Sequence, residues 1–413
     1  MATWLIPFSD LTPEQQRAIQ FTPDRHRVIF GAPGSGKTQI LLHRANHLAR
    51  EFNVPPSRFR IFVFNNVLKN YIQSALRLLD LPDDSILTYD NWCNLYYTSK
   101  ISARIPRDRT NPGPDYDAIR KAVFEHVRAS SNGKPEYDFI LVDEGQDLDP
   151  VSFETIKMIS KHVTVCMDNN QRIYDSGAVE SEVMRQLGLS KRNMSLLGAY
   201  RCCPYVIKMA SRFIEDANER EIYVNQAKTD QTERQTPLLY YASGAEDAKK
   251  RMIEVIKARQ AKGDRIGIFF YTNRHVYGYA KGLKEAGLDV EVQRAQDGTN
   301  YRPLDFTSER PKVLTYHSAK GLTFDTVIMP QLIESSFPGR RSVSIERLMF
   351  VGISRATKWV FLSTYEDARF PMIDKILPLS KEGCLTVQHS GEKINSQENE
   401  TGHQKPDDLT DML

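Results

Sequence analysis

Two short strings hold the residues best able to do chemistry. The first is GAPGSGKT, Gly31 to Thr38, which fits G-x-x-x-x-G-K-[ST]. Glycines let backbone N–H groups curl round an oxyanion where a Cβ would intrude. On this reading Gly31, Ala32, Pro33, Gly34, Ser35, Gly36, Lys37, Thr38 and Gln39 surround the phosphates of a nucleotide. Lys37 would bind the β- and γ-phosphates, and Thr38 a Mg²⁺ ion. The second string is LVDEGQD, Leu141 to Asp147. Asp143 would hold the hydrated Mg²⁺, and Glu144 would polarise a water for in-line attack on the γ-phosphate. The expected cofactors are therefore ATP and Mg²⁺.

Each string alone has a plainer reading, as a glycine-rich turn or a solvated acidic turn. The flanking elements decide between them. Val28-Ile29-Phe30 is an apolar run that ends at Gly31. A helix is predicted from Lys37 to about Arg50, with Leu41, Leu42, Ala45, Leu48 and Ala49 on one face. Phe139 to Val142 is a strand that delivers Asp143 to the edge of a sheet where ligands bind. Further strands are predicted at Phe59–Phe64 and Val163–Met167. The pattern restarts at Ile266–Tyr271, Lys312–Thr315, Thr326–Met329 and Trp359–Ser363. The fold class is therefore α/β, with two parallel-sheet domains in tandem, and 413 residues suit two such cores.

The first domain is expected over 1–192 and the second over 193–379. The stretch 82–135, broken by Pro106, Pro112, Gly113 and Pro114, reads as a small insertion in the first domain. Gln293 to Pro311 reads as a polar loop, and 380–413 as a disordered polar tail.

The net charge of +3 sets up no global basic field, so any polyanion must be held by a local groove. Five cysteines with no C-x-x-C pair and no zinc-like spacing read as reduced thiols of a cytoplasmic protein. The N-terminal residues lack the basic and apolar regions of a signal peptide, and no run of 18 apolar residues is present, so no membrane partner is expected.

Further strings follow in a fixed order, and together they resemble helicase superfamily 1 in its UvrD/Rep/PcrA-like branch, from Leu11 to about Thr364. LTPEQQRAI is similar to the adenine-reading glutamine motif, with Gln15 at the matching position. FVFNN resembles motif Ia and TYDNW the neighbouring T-F-H element. The resemblance thus puts Phe64, Asn65, Thr88 and Trp92 on a single strand, with Trp92 suited to base stacking. MDNNQRIY is similar to motif III, where Gln171 would sense the γ-phosphate. AYRC resembles N-Y-R-S and places Arg201 against that phosphate. LTYHSAKGLTFD resembles motif V, in which His317, Ser318 and Lys320 suit phosphate contacts with the strand and Gly321 lies by the nucleotide. ERLMFVGISRA resembles motif VI, whose arginine is Arg355. The resemblance implies two tandem RecA-like P-loop domains with the ATP site in the cleft between them. Arg201 and Arg355 from the second domain would complete that site on closure.

Three features depart from the family pattern. Arg201 to Lys312 leaves no room for the large inserted second-domain module, so the chain reads as a compact member. Asp175-Ser176-Gly177 stands where motif III runs into W-R-G, and Thr323 stands where motif V carries a glutamate. The ATPase centre is unaffected by these losses. The expected function is an ATP-dependent single-stranded DNA translocase or helicase that couples ATP hydrolysis to movement on or unwinding of DNA, with 3′→5′ direction implied by the family. The alternatives are a DNA-sensing ATPase switch subunit of a DNA repair or defence complex, which would work with a partner subunit, and an RNA-directed helicase.

Overall fold

A computed structural model describes residues 5–108, 113–130, 134–168, 171, 177–190, 194–196, 202–225, 234–296, 300–337, 343–368 and 370–392. The first sheet comprises β1 (Arg27–Gly31), β2 (Phe59–Val63), β3 (Ile86–Thr88), β4 (Tyr137–Val142), β5 (Ser160–Met167) and β6 (Met194–Leu196). They run in the order β3-β2-β4-β5-β1-β6, and each neighbouring pair is parallel. The strands are apolar on both faces because both are covered. Ile29, Ile61, Leu141 and Cys166 pack on one side, against α1 (Pro13–Gln20), α2 (Lys37–Glu51) and α3 (Asn66–Leu76). Val28, Phe62, Ile140 and Val165 pack on the other, with α4 (Tyr89–Lys100), α5 (Tyr116–Ser130), α6 (Pro150–Ile159) and α7 (Glu180–Gln186).

After α8 (Pro204–Ser211) a second sheet forms from β7 (Leu238–Ala242), β8 (Ile266–Phe270) and β9 (Glu291–Val292). A small antiparallel hairpin, β10 (Arg294–Gln296) and β11 (Asn300–Arg302), follows. The sheet then continues with β12 (Lys312–Thr315), β13 (Phe324–Met329), β14 (Ala356–Tyr365) and β15 (Thr386–His389). Its order is β15-β7-β14-β13-β8-β12-β9, again with parallel neighbours. The protein is thus two parallel-sheet α/β domains in tandem, the arrangement of RecA-like pairs. Among the described residues, no helix is long and apolar enough to cross a membrane.

Four sequence expectations need correction. Residues 82–135 are not an insertion: β3 is the edge strand of the first sheet, and α4 and α5 cover its face. The boundary drawn at 192 falls too early, because Met194 to Leu196 pairs with β1. The segment 293–311 is not wholly loop, since it carries the hairpin. The tail does not begin at 380, because a short helix, Pro378–Lys381, leads into β15, which pairs with β7. Residues 393–413 lie outside the described part of the chain.

Candidate active site

The C-terminal ends of the parallel strands bring the first domain's chemistry together. Gly31 ends β1, Phe64 follows β2, Thr88 ends β3, Asp143 follows β4 and Asp168 follows β5. At the P-loop, Gly36 has φ +83, a backbone that favours glycine, and a Cβ there would lie 2.5 Å from Gln15 Nε2 and push that amide aside. Gln15 itself donates from Nε2 to Ser35 O (3.0 Å) and accepts at Oε1 from Thr12 N (2.9 Å). Lys37 Nζ donates to the carbonyls of Gly31 (2.6 Å) and Ala32 (3.0 Å), which holds the ammonium at the rim of the loop. Gln39 is turned towards the N-terminal segment, where its Oε1 accepts from Ile6 N at 3.1 Å.

The residues fit a nucleotide with its cation. Ser35 Oγ is buried in the loop with no hydrogen-bond partner, so it is available to a phosphate oxygen. Thr38 Oγ1 donates to Asp143 Oδ2 at 2.8 Å, placing a hydroxyl and a carboxylate side by side as hard oxygen ligands of the kind Mg²⁺ takes. Burial and neighbouring Glu144 push the Asp143 carboxyl up, while the Thr38 hydrogen bond and Lys37 oppose them. Burial also acts to raise Glu144, but Lys320, Lys37, Arg355 and Gln146 together hold its carboxyl below the usual range. Glu144 has φ 52 and ψ 44, a left-handed backbone that costs a non-glycine residue about 1–3 kcal/mol. Strain of this kind at a residue aimed into a cleft fits a functional site.

The second domain reaches into this centre. Arg355, at 4% exposure, donates from Nη2 to Gln171 Oε1 at 2.6 Å. Gln171 Nε2 donates in turn to Asp168 Oδ2 at 2.6 Å, and Asp168 lies 4.0 Å from Lys37 Nζ. Lys320, fully buried, bonds to Asp147 Oδ2 and Gln171 O at 2.5 Å each and lies 3.7 Å from Glu144. Three participants were not singled out from the sequence. Gln146 donates to Glu144 Oε2 at 2.5 Å and accepts from Asp168 N at 3.0 Å, and Asp147 anchors Lys320. Asp168 is the third. All three sit inside the quoted strings LVDEGQD and MDNNQRIY, and that proximity was the available signal. Arg201 lies outside the described residues.

Known protein families match segments of both domains. A family model described as an AAA domain matches residues 15–176, and one described as the UvrD-like helicase C-terminal domain matches residues 300–367. These matches support a UvrD-like helicase relationship of the chain within superfamily 1. Its relatives include a Mycoplasma pneumoniae protein named a probable DNA helicase, 23% identical over 56% of this chain and 46% of its own length. A protein of Acanthamoeba polyphaga mimivirus, named provisionally as an ATP-dependent DNA helicase, is 22% identical over 85% of this chain and 53% of its own. The mitochondrial ATP-dependent DNA helicase of Saccharomyces cerevisiae is 22% identical over 69% and 53%. The chain thus spans about half the length of these curated relatives.

In this UvrD-like chain the residues expected to meet a nucleic acid divide into two groups. Phe64, Asn65, Thr88, His317 and Ser318 line one cleft of about 440 Å³ between the domains, continuous with Asp143 and Glu144. Asn65 Nδ2 donates to His317 O at 3.1 Å across the domain boundary, and Thr88 Oγ1 caps α4 by accepting from Asn91 N. Trp92, Lys320 and Gly321 need correction. Trp92 is 4% exposed, packs on Tyr89, Phe62 and Tyr96, and donates Nε1 to Tyr137 OH at 3.1 Å. It is a core residue of the α4 face and offers no ring to a base. Lys320 has no exposed atom for a strand phosphate, because it neutralises Asp147 and Glu144 and sits over the Phe64 ring at 5.1 Å. Gly321, at φ +80, lies against Leu68 of α3, where a Cβ would come within 2.8 Å of the leucine. It thus serves the contact between domains.

Proposed function

We propose that this chain is an ATP-hydrolysing motor that moves on single-stranded DNA. The observation that carries the reading is the Arg355–Gln171 hydrogen bond, which joins the second domain to the nucleotide-site residues of the first. In this reading Lys37 and the loop N–H groups bind the β- and γ-phosphates, and Gln15 reads the base. Thr38 and Asp143 would hold Mg²⁺, which when bound would neutralise charge on the phosphates. Glu144 accepts the proton of the attacking water, and Gln146 orients that carboxylate by its 2.5 Å hydrogen bond. Arg355 stabilises charge on the transferring phosphoryl group, with Arg201 beside it by resemblance to the family. Loss of the γ-phosphate removes the shared target of the two domains, so closure would alternate with opening. The strand would lie along Phe64, Asn65, Thr88, His317 and Ser318, so that opening and closing change its grip.

Steady-state ATP hydrolysis with single-stranded DNA, single-stranded RNA and duplex DNA tests the proposal. Strong stimulation by single-stranded DNA is expected, with weaker stimulation by RNA and duplex. Stimulation by RNA alone would make the track RNA.

One observation favours a second reading, a DNA-sensing ATPase switch that relies on a partner subunit for grip. Asp90, Asp143, Glu144 and Asp147 all line the cleft, against Arg120 and His317. Such a lining disfavours a tightly held polyanion. Strand displacement on tailed duplexes separates the readings, since only a motor that grips on its own displaces a strand.

A further inference from the structure

Arg44 on α2 is the largest fully buried side chain among the described residues, and it takes no part in the mechanism above. Its guanidinium has five partners, none of them a carboxylate. Nη1 donates to the carbonyls of Ala18 (3.4 Å), Ile19 (2.9 Å) and Phe21 (2.7 Å). Nε donates to Thr164 Oγ1 (2.9 Å), and Nη2 faces His162 Nε2 at 3.0 Å. The three carbonyls belong to the C-terminal end of α1, a helix of only eight residues. The last carbonyls of a helix lack intrahelical partners and carry the negative end of its dipole. A buried guanidinium there satisfies them and fixes where the helix ends.

The other end of α1 carries Gln15, which bonds to the P-loop at Ser35 O. Helix α1 is therefore pinned at both ends to one unit, the P-loop and the helix it opens. Each Gln15 amide atom makes one hydrogen bond within the protein, which leaves a second N–H and a second lone pair for a ligand. That pair matches the N6 donor and N7 acceptor of adenine, and it mismatches the two acceptors of guanine. Its selectivity depends on where α1 holds it.

We infer that Arg44 is a positioning residue for base selection: by capping α1 it holds Gln15 in register with the P-loop, and so sets the preference for ATP over GTP. The inference rests on the proposed nucleotide-binding reading of Gln15. A displacement of about 1 Å in a positioning group costs on the order of 10²-fold, so loss of the cap should be read in the KM for ATP.

The test uses the full chain with saturating single-stranded DNA, and compares kcat and KM for ATP and GTP in wild type, Arg44→Met, Arg44→Lys and Gln15→Ala. In Arg44→Met the KM for ATP should rise roughly 10-fold or more towards that for GTP, while the KM for GTP and both kcat values stay within about two-fold. Arg44→Lys, which keeps the charge but not the fork, should fall between and still fold if the methionine variant does not. Adding Arg44→Met to Gln15→Ala should give no further loss of ATP preference. An Arg44→Met or Arg44→Lys protein that keeps the wild-type ATP/GTP ratio, or that loses both nucleotides equally, overturns the inference alone. A wild type that turns over ATP and GTP with equal KM refutes the role of Gln15, and the inference with it.

Discussion

Truncating Arg355 to alanine removes the second-domain guanidinium that hydrogen-bonds Gln171 at 2.6 Å. Its other side-chain hydrogen bonds, to Val351 O at 3.1 Å, Ser354 Oγ at 3.1 Å and Leu322 O at 3.4 Å, lie within its own domain and fix the fork. A cation that meets the phosphoryl group only as charge develops is worth about 10³–10⁵ in turnover, or about 4–7 kcal/mol. We therefore expect Arg355→Ala to lower kcat at least about 10³-fold while the affinity for ATP changes by less than about 10-fold. Arg355→Lys should recover only part of the loss, because a point charge cannot hold Gln171 and the phosphate together. Single-turnover hydrolysis with equilibrium nucleotide binding measures the two quantities separately. Equal losses of binding and turnover would refute transition-state stabilisation and make Arg355 a ground-state ligand.

Glu144→Gln should bind ATP normally and lose about 10²–10⁴-fold in turnover, because the amide cannot accept the proton. A variant unable to bind ATP would make Glu144 structural. Lys320→Met removes the buried cation that bonds to Asp147 and lies beside Glu144, at a cost of about 3–5 kcal/mol that falls largely on closure. DNA-stimulated turnover should fall at least about 10²-fold on that account. A loss confined to DNA affinity, with turnover intact, would restore Lys320 as a strand contact. Trp92→Phe should lose about 1–3 kcal/mol of stability with the Tyr137 hydrogen bond and leave DNA affinity unchanged. Weaker DNA binding at an unchanged melting temperature would contradict its place in the core.

The parallel strands β1, β4 and β12 were legible because each is a short apolar run that ends at a glycine, an acidic turn or a polar helix start. Strands β3 and β15 were not. Ile86–Thr88 is three residues behind a proline and two aspartates, and Thr386–His389 is a polar edge strand paired only with β7. Their membership comes from the sheet that receives them rather than from their own periodicity. The nucleotide loop was legible for a local reason, since eight adjacent residues build it. Lys320 and Trp92 were misplaced for the opposite reason. The carboxylate that buries Lys320 is 173 residues away, and the hydroxyl that fixes Trp92 is 45 residues away. Arg44 passed unnoticed in an amphipathic helix because its carbonyl partners appear only once α1 docks.

The central claim is that a site completed by both domains hydrolyses ATP in response to a single strand. Steady-state ATP hydrolysis by the purified chain, with and without single-stranded DNA over a range of salt, tests it most directly, with Lys37→Ala as the control. Basal turnover should be low and single-stranded DNA should stimulate it strongly. That stimulation should weaken as salt rises, because phosphate contacts release counterions. No turnover should remain in Lys37→Ala. Turnover that is indifferent to DNA at every salt concentration, or that survives in Lys37→Ala, would contradict it.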